Sequence, residues 1–446
     1  MTEPVVTAPG EIEAARPSAA ARMLRLAFAA SLAGAAAGFV GGAFRLTLDA
    51  ADSLRAAFLV WSHQWPALGW LWPVAAVALC AAAARALVRW APVASGSGVQ
   101  HVEAVMRGEL EPAPLRVLPV KFIGGTLAMG SGLALGREGP TVQMGSTIGV
   151  AIARLLRLQT GDMRTLQAAA AGAGLAVAFN APVGGALFVL EEVVRRFEMQ
   201  AVHATLIASA VAIGISRLML GDHDAFAVAT LAPPPFPSLL PHLLAGMAFG
   251  LLGAAYSRIT VWGLDAFDRF PALPAEARAA IVGAAVGLLA WFAPSLAGSG
   301  DALNQQVLDG TLSVTALGII FVVRWLLGPW CYAAGTPGGL FAPLLVVGAA
   351  FGALCGDLVH TLAPALAPQP LAFAVVGMAA FFTAVVRAPL TGIVLVVEMT
   401  ATTALLAPML TACFAAALVA TLAGSEPIYD TLRRRSIARA GDCARG

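Results

Sequence analysis

Two charged residues of this chain, Arg137 and Glu138, stand side by side where charge is costly: their stretch, LGREGPTVQMG, is embedded in long apolar sequence. A charge at a bilayer centre costs on the order of 2.5–3.5 kcal/mol even on lenient scales, so an intramembrane carboxylate is a functional candidate by default. Around them run glycine- and proline-marked stretches: Gly96-Ser97-Gly98, Gly139-Pro140 and Gly338-Gly339-Leu340-Phe341-Ala342-Pro343. A helix beginning at such a stretch in mid-membrane presents unpaired N–H groups and the positive end of its dipole. That is an anion site without a fixed cation. Ser97 adds a hydroxyl donor, Leu340 and Phe341 add backbone amides, and Gly98 and Gly139 let the backbone approach the ion. Neutral donors suit a weakly hydrated anion such as chloride, which a fixed cation would hold too tightly to release.

Glu138 stands at the start of the helix that opens with Gly139-Pro140. Ionised, its carboxylate would take the place a bound anion wants; protonated, it has no claim on that place. One residue can then both gate an anion and carry a proton. The plainer alternative is an ion pair that orders the loop, although Arg137 and Glu138 as i and i+1 do not face each other. Glu191 and Glu192, read by spacing alone, form a solvated helix end with i,i+4 ion pairs to Arg195 and Arg196. Tyr429, read the same way, is an interfacial tyrosine.

The elements that must position these groups are membrane helices. The chain is 59% hydrophobic and 12% charged, with a mean hydropathy of +0.82, where soluble domains are about a quarter charged. Apolar runs recur at Leu26–Phe44, Pro66–Ala84, Leu239–Tyr256, Ala279–Ala297 and Ala404–Leu422, close to the roughly 20 residues that span a bilayer. The fold class is therefore an all-α, polytopic membrane protein with the lipid bilayer as a partner. A net charge of +2 gives no case for nucleic-acid binding. The five scattered cysteines show neither metal spacing nor a disulfide framework. Arginines recur at Arg22, Arg25, Arg85, Arg89, Arg154, Arg157, Arg164, Arg195, Arg196 and Arg433–Arg435, which places those ends, and both termini, in the cytoplasm. Residues 1–20 read as a disordered cytoplasmic tail without a signal peptide, 21–430 as the membrane domain, and 431–446 as a short basic tail.

The membrane domain is duplicated. Gly-Ser-Gly at Gly96 recurs at Gly298, 202 positions on, each with glycine 12 residues later. Gly136, Pro140, Gly145 and Gly149 recur at an offset of 203 as Gly339, Pro343, Gly348 and Gly352. Ala181-Pro182, Gly185 and Glu191 recur at 207 as Ala388-Pro389, Gly392 and Glu398. Duplicated halves of about 21–220 and 238–430 are a transporter signature; such halves are often inverted, with a binding site at the midplane built from interrupted helices. Leu166–Phe179 and Val183–Val194 read as a helical pair, each short for a full span, broken at Asn180-Ala181-Pro182. Irregular backbone at depth is tolerated where protein or a water-filled cavity surrounds it.

GSGVQ, GREGPTVQMG, FNAPVGGALFVLEE and GGLFAP, in this order, resemble the signature blocks of the CLC chloride channel and transporter family, over about Gly96 to Tyr429. The resemblance implies a homodimer with one anion pathway per subunit, each built from inverted halves of tilted, broken and re-entrant helices. It implies a bacterial inner-membrane protein that transports chloride and protons and needs no cofactor. By position it makes Ser97 the hydroxyl of the central site, Leu340 and Phe341 its amides, and Tyr429 the hydroxyl closing the site from the cytoplasm. Glu138 matches the external gating glutamate and Glu192 the internal proton-passing glutamate of family exchangers. Two features depart from the pattern. Gln100-His101 stands where the family usually has Pro-Glu, so the helix after Ser97 is expected to start differently. The second is that no tandem nucleotide-sensing region, like that of eukaryotic relatives, is expected after the membrane domain. The presence of Glu192 favours a chloride/proton exchanger over a passive chloride channel of the same fold. An intramembrane serine hydrolase using Ser97 is a remote third reading; it would need a base within hydrogen-bond reach, and only His101 is near in sequence.

Overall fold

The computed structural model describes residues 19–65, 67–222, 225–269 and 272–443, with side chains up to residue 438. The expected tail over residues 1–20 lies almost wholly outside the described residues. The first half contains α1 (Ala19–Ser62), α2 (Leu71–Leu87), α3 (Val99–Met106), α4 (Val117–Gly130), α5 (Glu138–Leu155), α6 (Thr160–Phe179), α7 (Pro182–Phe188) and α8 (Met199–Leu220). The second contains α9 (Leu239–Asp268), α10 (Ala275–Phe292), α11 (Asp301–Leu308), α12 (Val314–Ala333), α13 (Phe341–Leu362), α14 (Leu371–Val386), α15 (Pro389–Thr400) and α16 (Leu406–Leu422). The last helix, α17 (Ile428–Cys443), follows the second half and packs on α3 of the first. Among the described residues six helices are long and apolar enough to cross a membrane, and α2, α4, α14, α15 and α16 are shorter apolar helices.

The eight helices of one half answer the eight of the other, and local chemistry repeats with them. Gly98 and Gly300 both adopt left-handed backbone, with φ of 89° and 99°, immediately before the short helices α3 and α11. Asn180 and Arg387 are both left-handed, and each is followed by Ala-Pro with proline in the first turn of the next helix. Proline there costs nothing, because its missing N–H would have been unpaired in any case. The break at Asn180-Ala181-Pro182 is thus as expected, but α6 is longer than its apolar run. It begins at Thr160, where Asp162 in its first turn takes Arg22 of α1 at 2.7 Å, so a charged turn precedes the apolar stretch.

Small residues set the distance between paired helices. A Cβ on Gly145 of α5 would collide with the Ala170 carbonyl of α6, and one on the repeat-related Gly348 of α13 with the Gly377 carbonyl of α14. Helix backbones therefore touch in both halves at the same place, as packing in lipid favours. Equivalent helices also meet each other. Glu191, just after α7, accepts N–H donors from Leu390 (3.1 Å) and Thr391 (2.7 Å) at the start of α15. Glu398, near the end of α15, accepts them from Val183 (3.0 Å) and Gly184 (2.6 Å) at the start of α7. Each end of one helix faces the opposite end of the other, so α7 and α15 are antiparallel and the two halves are inverted about an axis between them. The i,i+4 reading of Glu191 is overturned: its partners lie 199 and 200 residues away, since two uncapped helix starts need acceptors more than a solvated arginine does.

Candidate anion and proton site

Four separated segments meet at one point. The Gly96–Gly98 turn lies between the start of α5 and the start of α13, and α17 closes over it. Ser97 is fully buried, and its Oγ has no partner among the described residues. Gly139 is the contact that brings α5 to it: a Cβ there would strike Ser97 Oγ and lie 2.6 Å from its carbonyl oxygen, so only glycine fits. Leu340 caps α13 and Phe341 is its first residue, both buried, and helix geometry leaves their N–H groups without intrahelical acceptors. The Phe341 ring is wedged among Phe179, Phe188 and Phe382, with centroids 5.3, 5.6 and 4.2 Å away, which fixes where α13 begins. Gly98, placed with the anion donors by the sequence, spends its N–H internally: it donates to Gln100 Oε1 at 3.1 Å. Gln100, at the proline position of the resemblance, thus caps α3 with its own side chain.

The Ser97 turn is held by a residue that sequence reasoning missed. Lys121 of α4 is fully buried, and its Nζ donates to the Gly96 and Ser97 carbonyls at 2.6 and 2.9 Å. Arg324 of α12, also fully buried, donates to Gly298 and Ser299 carbonyls at 2.7 Å each. Lys121 and Arg324 are 203 positions apart, so the repeat that revealed the turns also carries their clasps. The signal was available, hidden because lysine and arginine are not identical letters.

Glu138 is 1% exposed at the first position of α5. Its carboxylate interacts with its own N–H and with that of Ala342 in the first turn of α13, and Oε2 packs on Gly136 and Gly339. It therefore sits over the helix start that offers Leu340 and Phe341. Arg137 turns away: Nε donates to the Ala178 carbonyl at 2.9 Å, and Nη1 pairs with Asp301 of α11 at 3.0 Å. A cavity of about 310 Å³ on this side is lined by Arg45, Arg137, Arg217, Asp49 and Asp301 among others.

Tyr429 covers the other end. It is 1% exposed, faces Ser97, and lies within electrostatic reach of Tyr332, Glu138 and Glu192. Glu192 sits in a π-helical turn, Val189–Val193, that continues α7 and turns its side chain inward, where it is 3% exposed. It pairs with Arg195 at 3.3 Å, as i,i+3 where the spacing reading had i,i+4; Arg196 faces Glu198 instead. Arg195 also holds Asp430 at 2.9 Å, and Asp430 takes Arg107 at 3.2 Å and Arg433 at 3.3 Å. Buried Glu103 of α3 completes this network with Arg107 at 2.6 Å. The residue following Tyr429 is thus tied to α3 and to the Glu192 turn. No histidine or carboxylate hydrogen-bonds Ser97 Oγ among the described residues, so the base of a serine hydrolase is not assembled there.

Residues 79–421 match the family described as voltage gated chloride channel. The chain belongs to the CLC family. An H(+)/Cl(-) exchange transporter ClcA from Vibrio parahaemolyticus is 38% identical over 419 residues, covering 92% of this chain and 89% of that protein. A ClcA from Salmonella paratyphi A is 37% identical over 429 residues, covering 93% and 89%. Among solved structures, a slow cyanobacterial Cl-/H+ antiporter superposes with a TM-score of 0.90 at 33% identity, over 93% of this chain and 98% of that one. A CLC-type fluoride/proton antiporter superposes at 0.75 with 21% identity, over 93% and 98%, a likeness of fold alone. Within the CLC family, this chain combines the signature blocks with glutamine and histidine after GSGV.

Proposed function

We propose that this protein exchanges chloride for protons across a bacterial inner membrane, with both termini in the cytoplasm. The observation that carries the reading is that two buried glutamates from different segments, Glu138 at the start of α5 and Glu192 in the turn after α7, both lie within electrostatic reach of Tyr429, with Glu138 also at the α13 start. Chloride, in this reading, is held by Ser97, Leu340, Phe341 and Tyr429, with Gly98 and Gly139 shaping the backbone around it. Glu138 gates the anion from outside and receives the proton that Glu192 relays from inside; no step requires a cofactor. The exchangers among the relatives and the retention of Glu192 favour this over a passive chloride channel.

The protein is a homodimer in the same reading. Glu191 and Glu398 are only half-buried, beside exposed Val183 and Leu390. Carboxylates on a lipid-facing surface are costly, and a second copy over the α7–α15 face removes them from lipid. The deciding experiment records chloride efflux and proton uptake together in proteoliposomes. A chloride gradient should drive protons uphill in the wild type. Glu138→Gln should leave chloride flux intact, remove its pH dependence and abolish proton pumping. Proton pumping that survives in Glu138→Gln returns Glu138 to a structural role.

A further inference from the structure

Two hydrogen bonds converge on the hydroxyl of Tyr332 in α12. Ser97 N–H donates to it at 3.4 Å and Gln100 Nε2 at 3.5 Å. The Gln100 carboxamide has one way round. Gly98 N–H can only donate, and it lies 3.1 Å from Oε1, so the NH2 end faces Tyr332. Both neighbours of the phenol oxygen are therefore donors. Its own proton has no acceptor among the described residues, although Tyr332 is only 3% exposed. A buried hydroxyl normally finds a partner.

Ser97 Oγ, on the same turn, is likewise buried and makes no hydrogen bond within 3.5 Å among the described residues. The phenol packs directly on this turn, where a Cβ on Gly96 would lie 2.9 Å from Tyr332 Oη. Tyr429 interacts with both Ser97 and Tyr332. Three hydroxyls thus gather at the Ser97 turn, and among the described residues neither the Ser97 nor the Tyr332 hydroxyl has a hydrogen-bond acceptor for its proton. An anion is the ligand such a set accepts.

We propose that Tyr332 donates its phenol O–H to the transported anion, beside Ser97 and Tyr429, and that Gln100 positions it. This rests on reading the Ser97 turn as the anion site. Gln100 acts through orientation: by capping Gly98 it turns its NH2 onto the phenol oxygen and leaves the phenol proton for the anion. A proline at this position has no side chain to do so. The pair Gln100 and Tyr332 is then a tuning device of this chain's own for anion affinity.

Calorimetric titration of the purified full-length protein with chloride tests this, with size-exclusion elution as the check on folding. Tyr332→Phe removes the hydroxyl alone and should weaken chloride binding roughly fivefold, as loss of one neutral hydrogen bond does. Gln100→Leu should weaken it also, and the double variant should bind no more weakly than Tyr332→Phe. Should Tyr332→Phe fail to elute as a single species, Gln100→Leu carries the same expectation. Unchanged affinity in Tyr332→Phe, with weaker binding in Ser97→Ala, overturns the proposal while leaving the site in place: the phenol proton then serves a water. Unchanged affinity in Ser97→Ala as well removes the site reading together with it. Additive losses in the double variant overturn the positioning role of Gln100.

Discussion

Gly136 and Gly339 hydrogen-bond to each other in both directions, Gly136 N–H to the Gly339 carbonyl at 2.8 Å and Gly339 N–H to the Gly136 carbonyl at 2.7 Å. They are repeat-related, so the axis relating the halves passes between them, and Glu138 is two residues from it. Gly136 has ordinary backbone that alanine can adopt, but an added Cβ would collide with Glu138 Oε2 and lie 3.0 Å from Ala342 N. Gly136→Ala should therefore expel the Glu138 carboxylate from the α13 start while keeping it titratable. The expected outcome in liposomes is chloride flux that continues with proton uptake per chloride reduced at least severalfold. Full coupling in this variant would show that the carboxylate does not need that seat.

Glu192→Gln should also uncouple, by another route. Glu138 remains titratable, so chloride flux should still respond to the pH outside while proton pumping disappears. The comparison with Glu138→Gln, whose flux should ignore pH, separates the two glutamates. Equal pH responses in the two variants would contradict the division of roles.

Arg137 should matter to folding more than to selectivity, because its partners are the Ala178 carbonyl and Asp301 and not the anion segments. Asp301 is partly open to solvent, which screens the pair. Removing the guanidinium should cost about 1–2 kcal/mol, chiefly the unsatisfied carbonyl. Thermal unfolding of Arg137→Ala should fall by a few degrees with chloride over nitrate preference unchanged. A selectivity change without a stability loss would count against this.

The docking of α17 has a defined acid limit. Burial pushes the Asp430 carboxyl up, but the hydrogen bond and charge of Arg195 outweigh it and hold it below the ordinary value. A carboxylate lowered by docking stabilises the docked helix above its undocked pKa, about 3.9. That stabilisation is lost as pH falls through the lower docked value. Tryptic cleavage after Arg433–Arg435 should accordingly be slow at neutral pH. In Asp430→Asn it should be faster by roughly tenfold, the scale of a charge-assisted hydrogen bond. Equal cleavage rates would show that Asp430 does not hold the helix.

What could be read in advance was whatever repeats or breaks a local rule. Ser97, Glu138 and Leu340 stood out because glycine, proline and charge interrupt apolar sequence, and the inverted halves stood out because their glycines recur. That Arg137 does not pair with its neighbour Glu138 was legible from their i, i+1 spacing, though Asp301 as its partner was not. Partners across the axis were hidden. Nothing near Glu191 in sequence points to Thr391, and nothing near Asp430 points to Arg195. The Tyr332 hydroxyl drew no attention because its two donors lie 232 and 235 residues away. Such pairings are decided by which helix ends are left uncapped, and that is known only once the helices have been packed.

The exchange of caps between Glu191 and Glu398 has a consequence for biogenesis. The amides of Val183 and Gly184 are made long before Glu398, 214 residues beyond Gly184, leaves the ribosome. At about 5–20 residues per second that interval is roughly 10–40 s. Throughout it the first eight helices stand in the membrane with an open helix start and a carboxylate awaiting its partner. Surveillance proteases and insertion chaperones meet the chain in that half-made form. A substitution at either glutamate would then show first as a lower yield of assembled protein, before any change in the ions it moves.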